Sequence, residues 1–320
     1  MTFSRIIQPV VAVLCLLFTA CTQPAGETAE TTKPEVITSQ AAVAIADPFA
    51  ADIAARVLRQ GGNAVDAAVA TGFALAATYV DAGNIGGGGF MLLQMDGEAS
   101  FLDYREKAAV AAHRDMYLDE HGEVIPNATL IGAQAVAVPG TVAGLWKAHQ
   151  RYGNLSWKDV VLPAAELAET GFLPAEILVN DIRDHYEQFR DRTNFSEYFG
   201  VISTDELFKQ PELAATLRRI AGSGHDEFYR GKTAELIVEQ MARSDGLITM
   251  EDLAAYQAVW REPLRADWRD FEILSAPPPS SGGFAVVQLL KMKDYLAHHF
   301  HGVAHNSPQY VHLVAEMEKR

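Results

Sequence analysis

The chain has 320 residues, 26 basic and 41 acidic, giving a formal net charge of −15. The acidic residues are spread along its length, a surface that repels phosphate backbones and argues against a nucleic-acid partner. Its two cysteines, Cys15 and Cys21, both stand near the start, so the rest of the chain has no thiol for a zinc site, a disulfide or a Cys/His nucleophile.

Met1 to Arg5 carry one positive charge and lead into an apolar run from Ile6 to Ala20, broken by Gln8 and Pro9. A short greasy core ending in small residues describes an export signal, and the run falls short of the roughly 20 apolar residues that a membrane-spanning helix needs. Residues 1–20 are therefore expected to be a signal peptide. The step Leu17-Phe18-Thr19-Ala20-Cys21 resembles the lipobox of bacterial lipoproteins, with Phe18 where leucine is usual. It implies lipidation of Cys21 and a membrane contact through that lipid; the alternative is plain cleavage near Ala20. Residues 21–37 are rich in Thr, Glu, Pro and Gly, too polar to bury a core, and read as a disordered tether. Residues 38–320 show no fixed-period repeat and no break in composition, and read as one domain outside the cytoplasm.

In chain order, the small and β-branched residues Ser39–Ala46 suggest a buried strand. Asp47-Pro48 opens a helix that runs to Gln60, where Gly61-Gly62 supplies the stop. Asn63, with Asp66 three places on, caps a helix from Ala64 to about Thr78 that is apolar all round and so buried on every side. Four glycines, Gly86 to Gly89, precede a strand at Phe90–Met95, and Asp96-Gly97 turns it into a second strand at Glu98–Tyr104. Such glycines permit positive φ and a close approach of other atoms. Arg105, Glu106 and Lys107 thus emerge beside the glycine loop. Helices follow at Thr141–Tyr152 and after Ser156, the latter closed by Gly171, and residues 175–243 look mainly helical, with Pro211 suited to a first turn. Thr249 and Asp252 form a further capping box. Strands at Pro263–Asp267 and Phe271–Ser275 lead through Pro277-Pro278-Pro279-Ser280-Ser281-Gly282-Gly283 to a helix at about Phe284–His298. Ser307-Pro308 starts a last helix that is still in progress at Arg320, which gives the chain the look of a truncated one.

Several chemistries find no support. The glycine run lacks the Lys-Ser or Lys-Thr of a P-loop and enters a strand rather than a helix. His298, His299, His301, His305 and His312 cluster, but Gly302 and Asn306-Ser307-Pro308 break the segment, and a solvated loop explains them better than a metal site. Gly-x-Ser-x-Gly is absent, and Ser280-Ser281 reads as a turn from strand to helix. Arg105 carries a planar, permanently charged guanidinium suited to gripping a carboxylate with two parallel hydrogen bonds. From spacing alone, a surface ion pair with Asp103 or Glu106 is the preferred reading.

The segments Arg59–Ala68, Gly83–Met91, Asp103–Ala108, Val138–Leu145 and Pro277–Gly283 resemble, in order and spacing, the γ-glutamyltranspeptidase family, over residues 38–320. Ala109 and Ala137 depart from its usual proline and glycine. The resemblance implies an α+β fold, the αββα four-layer sandwich of N-terminal-nucleophile hydrolases, here incomplete. It implies a precursor that cuts itself into a large and a small subunit and exposes a threonine, which attacks the γ-glutamyl amide of glutathione with its own α-amine as base. No metal or organic cofactor is implied. Arg105 matches the arginine that holds the α-carboxylate of the γ-glutamyl group. The family's Thr-Thr-His nucleophile stretch does not occur in this sequence, so no catalytic residue is assigned. The expected partner is the small subunit of the same precursor, and the chain alone is expected to be inactive. Two alternatives remain at this point: a glutaryl-accepting cephalosporin acylase of the same superfamily, and a non-catalytic lipid-anchored remnant that keeps the glycine loop and Arg105.

Overall fold

The computed structural model describes residues 40–320. The expected signal peptide, Cys21 and the tether lie outside them. The chain divides into two units, Met1–Ala42 and Val43–Arg320, and every element named here belongs to the second.

Capping chemistry sets the first two helices. The Asp47 carboxylate accepts from the Ala50 N–H at 2.7 Å, and Pro48 fills the first position of α1, Pro48–Arg59. Ala50, Ile53, Ala54 and Val57 form its buried stripe, spaced three or four residues apart as one helix face requires. Asn63 and Asp66 close a reciprocal capping box on α2, Ala64–Thr78, most of whose residues are buried. Its small side chains let α1 and two further helices approach closely, α3 (Thr141–Tyr152) and α4 (Trp157–Thr170). Phe73 of α2 meets Trp157 of α4 edge-on at 5.5 Å.

Between α4 and the C-terminal elements lie α5 (Glu176–Phe189), α6 (Phe195–Phe199), α7 (Pro211–Ser223), α8 (Asp226–Arg230), α9 (Lys232–Arg243) and α10 (Met250–Ala255). Helix α7 packs along α4, and the Trp157 indole N–H donates to the Ile220 carbonyl at 2.9 Å. A shared core joins Val57, Phe73, Val160 and Leu217, none of which has any accessible surface, to Leu102, Val142, Tyr229 and Leu253 from neighbouring elements. Each such aliphatic side chain contributes about 1.5–3 kcal/mol by leaving water.

Strands β1, Phe90–Met95, and β2, Glu98–Asp103, form the expected hairpin, pairing Phe90 with Asp103 and Met95 with Glu98. Asp96 and Gly97 turn it with φ of 51° and 85°, the left-handed pair of a type I′ turn. A third strand, β3 at Val259–Arg261, pairs antiparallel with β2 and makes β2 the central strand. A separate two-stranded sheet, β4 (Leu264–Trp268) with β5 (Phe271–Ser275), precedes α11 (Gly282–Tyr295), α12 (Ala297–Phe300) and α13 (Pro308–Glu318). The class is α+β, as expected.

Two expectations need correction. The part of the Ser39–Ala46 strand that is described belongs to no sheet; β-branched composition favours an extended backbone, but only a partner strand makes it part of a ladder. The helix expected at Phe284–His298 begins at Gly282 and is interrupted at Leu296.

Candidate carboxylate site

The glycine loop and the end of β2 are built against each other. The ladder extends one residue pair beyond β1 and β2, with Gly89 N–H donating to the Tyr104 carbonyl at 3.3 Å and Tyr104 N–H to the Gly89 carbonyl at 3.0 Å. A side chain at Gly88 would meet the Tyr104 carbonyl oxygen at 2.6 Å and the Glu106 nitrogen at 2.8 Å. Closeness, then, is what requires glycine at Gly88, whereas Gly86 faces open space. None of the four takes a positive φ, contrary to one of the two freedoms expected of them. Asn84 ties this loop to α3, its side-chain oxygen accepting from the Gly87 N–H at 2.9 Å and the Thr141 hydroxyl at 2.6 Å.

Arg105 leaves this frame at the surface. Its side chain is 56% exposed and lies 3.4 Å from the Glu106 carboxylate, with its guanidinium 5.9 Å from the centre of the Phe90 ring. The pair with Glu106 is the surface ion pair that spacing alone favours. In water such a pair is worth about 0–1 kcal/mol, so a ligand carboxylate can replace it at little cost. The other named partner, Asp103, binds elsewhere: its buried carboxylate accepts from the Arg105 backbone N–H at 3.0 Å and from Arg261 Nε at 2.8 Å. Arg105 is thus exposed yet adjacent to the tetraglycine backbone, with donor capacity to spare.

Three tyrosines that sequence reasoning did not single out for the site support this strand end. Tyr104 packs against α3 where Gly144 leaves no room for a side chain, and its hydroxyl donates to the Phe90 carbonyl at 3.3 Å. Burial pushes its hydroxyl up to about 12, so it stays protonated near neutrality. The Tyr256 hydroxyl donates to the Arg105 carbonyl at 2.8 Å. Its ring stacks on that of Tyr229, 5.7 Å away and 9° from parallel. Tyr229 in turn donates to the Pro139 carbonyl at 2.9 Å and accepts from the Ala143 N–H at 3.2 Å. Burial also raises the Tyr229 and Tyr256 hydroxyls well above the ordinary tyrosine value.

Elsewhere, Ser280 lies in the turn between β5 and α11, its N–H donating to the Pro277 carbonyl at 3.1 Å. The His298 and His299 rings lie 4.0 Å apart and tilted, and His305 meets Tyr310 edge-on. Among the described residues no group of three or more His, Cys, Asp or Glu is placed to hold a metal ion, and no helix is long and apolar enough to cross a membrane.

Fold and site define an α+β protein that presents an exposed, half-engaged arginine at the end of a glycine-backed strand. The family description "Gamma-glutamyltranspeptidase" matches residues 50–320. A glutathione hydrolase proenzyme of Pseudomonas aeruginosa is 54% identical over 279 residues, 87% of this chain and 50% of that protein. Among solved structures, the gamma-glutamyltranspeptidase of Pseudomonas nitroreducens complexed with L-DON is 54% identical with a TM-score of 0.86, covering 89% of this chain and 85% of that one. A cephalosporin acylase of Bacillus halodurans is 26% identical with a TM-score of 0.74, covering 85% of this chain and 52% of that one. The chain belongs to the γ-glutamyltranspeptidase family. It spans about half the length of the curated relatives it matches.

Proposed function

We propose that this chain furnishes the donor-binding half of a glutathione hydrolase that transfers γ-glutamyl groups to water or to amino acids and peptides. In this reading Arg105 releases Glu106 and takes the α-carboxylate of the γ-glutamyl group through two parallel hydrogen bonds. The threonine that becomes acylated belongs to a small subunit of the same precursor, carried by residues outside this sequence, and the 320-residue chain alone releases no glutamate from glutathione. The reaction draws on no metal or organic cofactor. Export through residues 1–20, a lipid on Cys21, a tether over residues 21–37 and a domain over residues 38–320 complete the proposal.

The observation that carries it is the placement of Arg105, exposed and half-engaged, between Tyr104 and Glu106, the two residues that pack against Gly88 and Gly89. A glutaryl acylase would use the same guanidinium, since a glutaryl group also ends in a carboxylate. Identity of 54% to a gamma-glutamyltranspeptidase against 26% to a cephalosporin acylase favours the γ-glutamyl donor. The test is steady-state kinetics of the longer protein on γ-glutamyl-p-nitroanilide. Removing a carboxylate clamp costs on the order of 2–5 kcal/mol, and the exposure of Arg105 places it at the low end. Arg105→Lys, which keeps the charge but loses the planar fork, is expected to raise KM at least about tenfold, equivalent to about 1.4 kcal/mol. An unchanged KM contradicts the role.

A further inference from the structure

The geometry points to Tyr256 as a positioning residue that fixes the backbone of Arg105 and thereby aims its guanidinium at the donor carboxylate. This inference rests on the carboxylate-binding role of Arg105 proposed above and concerns what holds that arginine in place.

The side chain of Arg105 is long, mostly in solvent, and touched by little apart from Glu106 and the Phe90 ring. Such a side chain has many rotamers, so the origin of its sweep, the Arg105 Cα, decides where the guanidinium can reach. Both peptide groups flanking that atom are tied. On one side the Arg105 N–H donates to Asp103, whose second oxygen is held by Arg261 of β3. On the other the Arg105 carbonyl accepts from the Tyr256 hydroxyl at 2.8 Å.

The tie through Tyr256 is rigid because its origin is rigid. Tyr256 follows directly on α10, which starts with a capping box between Thr249 and Asp252. Asp252 also accepts from the Val110 N–H at 2.9 Å, so one short helix grips the 105–110 segment at both ends. The Tyr256 ring stacks on the Tyr229 ring and also meets the Lys107 ammonium, which lies 5.2 Å from its centre. Gly140 completes the fit, because a side chain there would collide with the Tyr104 carbonyl and the Tyr256 hydroxyl. Burial raises its hydroxyl above the ordinary tyrosine value, so Tyr256 remains a donor near neutral pH.

The test uses the longer protein and two donors, γ-glutamyl-p-nitroanilide and 4-aminobutyryl-p-nitroanilide, which lacks the α-carboxylate. Tyr256→Phe retains the stacked ring and deletes only the donor. It is expected to raise KM for the γ-glutamyl donor about fivefold, the cost of one neutral hydrogen bond, with kcat little changed and the 4-aminobutyryl donor unaffected. Added to Arg105→Ala, it should have no further effect on KM. Full additivity in that double variant, or an equal loss with both donors, assigns Tyr256 a merely structural role and overturns the inference. If Arg105→Ala raises KM while Tyr256→Phe leaves it unchanged, the Tyr256 inference alone fails. If Arg105→Ala leaves KM unchanged, the carboxylate reading and this inference fall together. Thermal melts monitor folding, and should Tyr256→Phe not fold, Tyr256→His, whose shorter ring does not bring an N–H to the Arg105 carbonyl, is read in the same way.

Discussion

Helices α1 to α4 with α7 enclose side chains such as Val57, Phe73 and Leu217 completely, whereas across residues 264–320 Gly283 and Met317 alone are buried. Both regions contain apolar helices. The sequence of α11, GGFAVVQLLKMKDY, is as greasy as that of many core helices, yet Phe284 and Val286 stand 58% and 45% exposed. Hydrophobicity within one element does not create burial; facing elements do, and α1 to α4 have them while α11 to α13 have few. The site sits on the well-packed side of this divide, on β2 and the tyrosines that reach into the main core. Stability should be correspondingly uneven along the chain.

The contrast breaks most visibly by mutation in the two regions. Leu217→Ala, at a position with no accessible surface, is expected to cost about 2–5 kcal/mol, read from the denaturant midpoint of the main unfolding transition. A smaller effect should come from Asp252. Burial raises its carboxyl, but the N–H of Val110 and the N–H and hydroxyl of Thr249 more than offset that, and it ends below the ordinary carboxylate value. Because the folded pKa is the lower one, its stabilisation is complete above the unfolded value, about 4, and is lost as pH falls through the folded value. Asp252→Asn should therefore flatten part of the acid limb of a stability-versus-pH curve, and an unaltered limb would mean that α10 is held by other contacts. Least of all should follow from Tyr295→Ala, whose side chain is 85% exposed: a change within about 0.5 kcal/mol by the same denaturant measurement. A large loss there would show that the C-terminal elements have a core after all.

What the sequence made legible was local. Asn63 with Asp66, Thr249 with Asp252, Ser156, Ser307 and the pair Asp47-Pro48 all cap the helices they announced, and Asp96-Gly97 turns the hairpin. Those signals work because donor and acceptor lie within a few residues. Strand β3 escaped notice because it has three residues and owes its existence to β2, far away in sequence. The supports of the site are equally remote: Tyr256 is 151 residues from Arg105, and Arg261 is 158 from Asp103. Arg105 itself stood out through family resemblance, since the ion-pair reading from spacing describes its contact with Glu106 correctly and says nothing of a ligand. The strand expected at Ser39–Ala46 erred in the other direction, with suitable composition and no ladder among the described residues to join.

The most direct measurement is a crystal structure of the longer protein with L-glutamate bound. The Arg105 guanidinium is expected to turn from Glu106 and place two nitrogens about 2.7–2.9 Å from the two α-carboxylate oxygens, with the Tyr256 hydroxyl still on the Arg105 carbonyl. A glutamate whose α-carboxylate is held by other residues, while Arg105 stays in solvent beside Glu106, would contradict it.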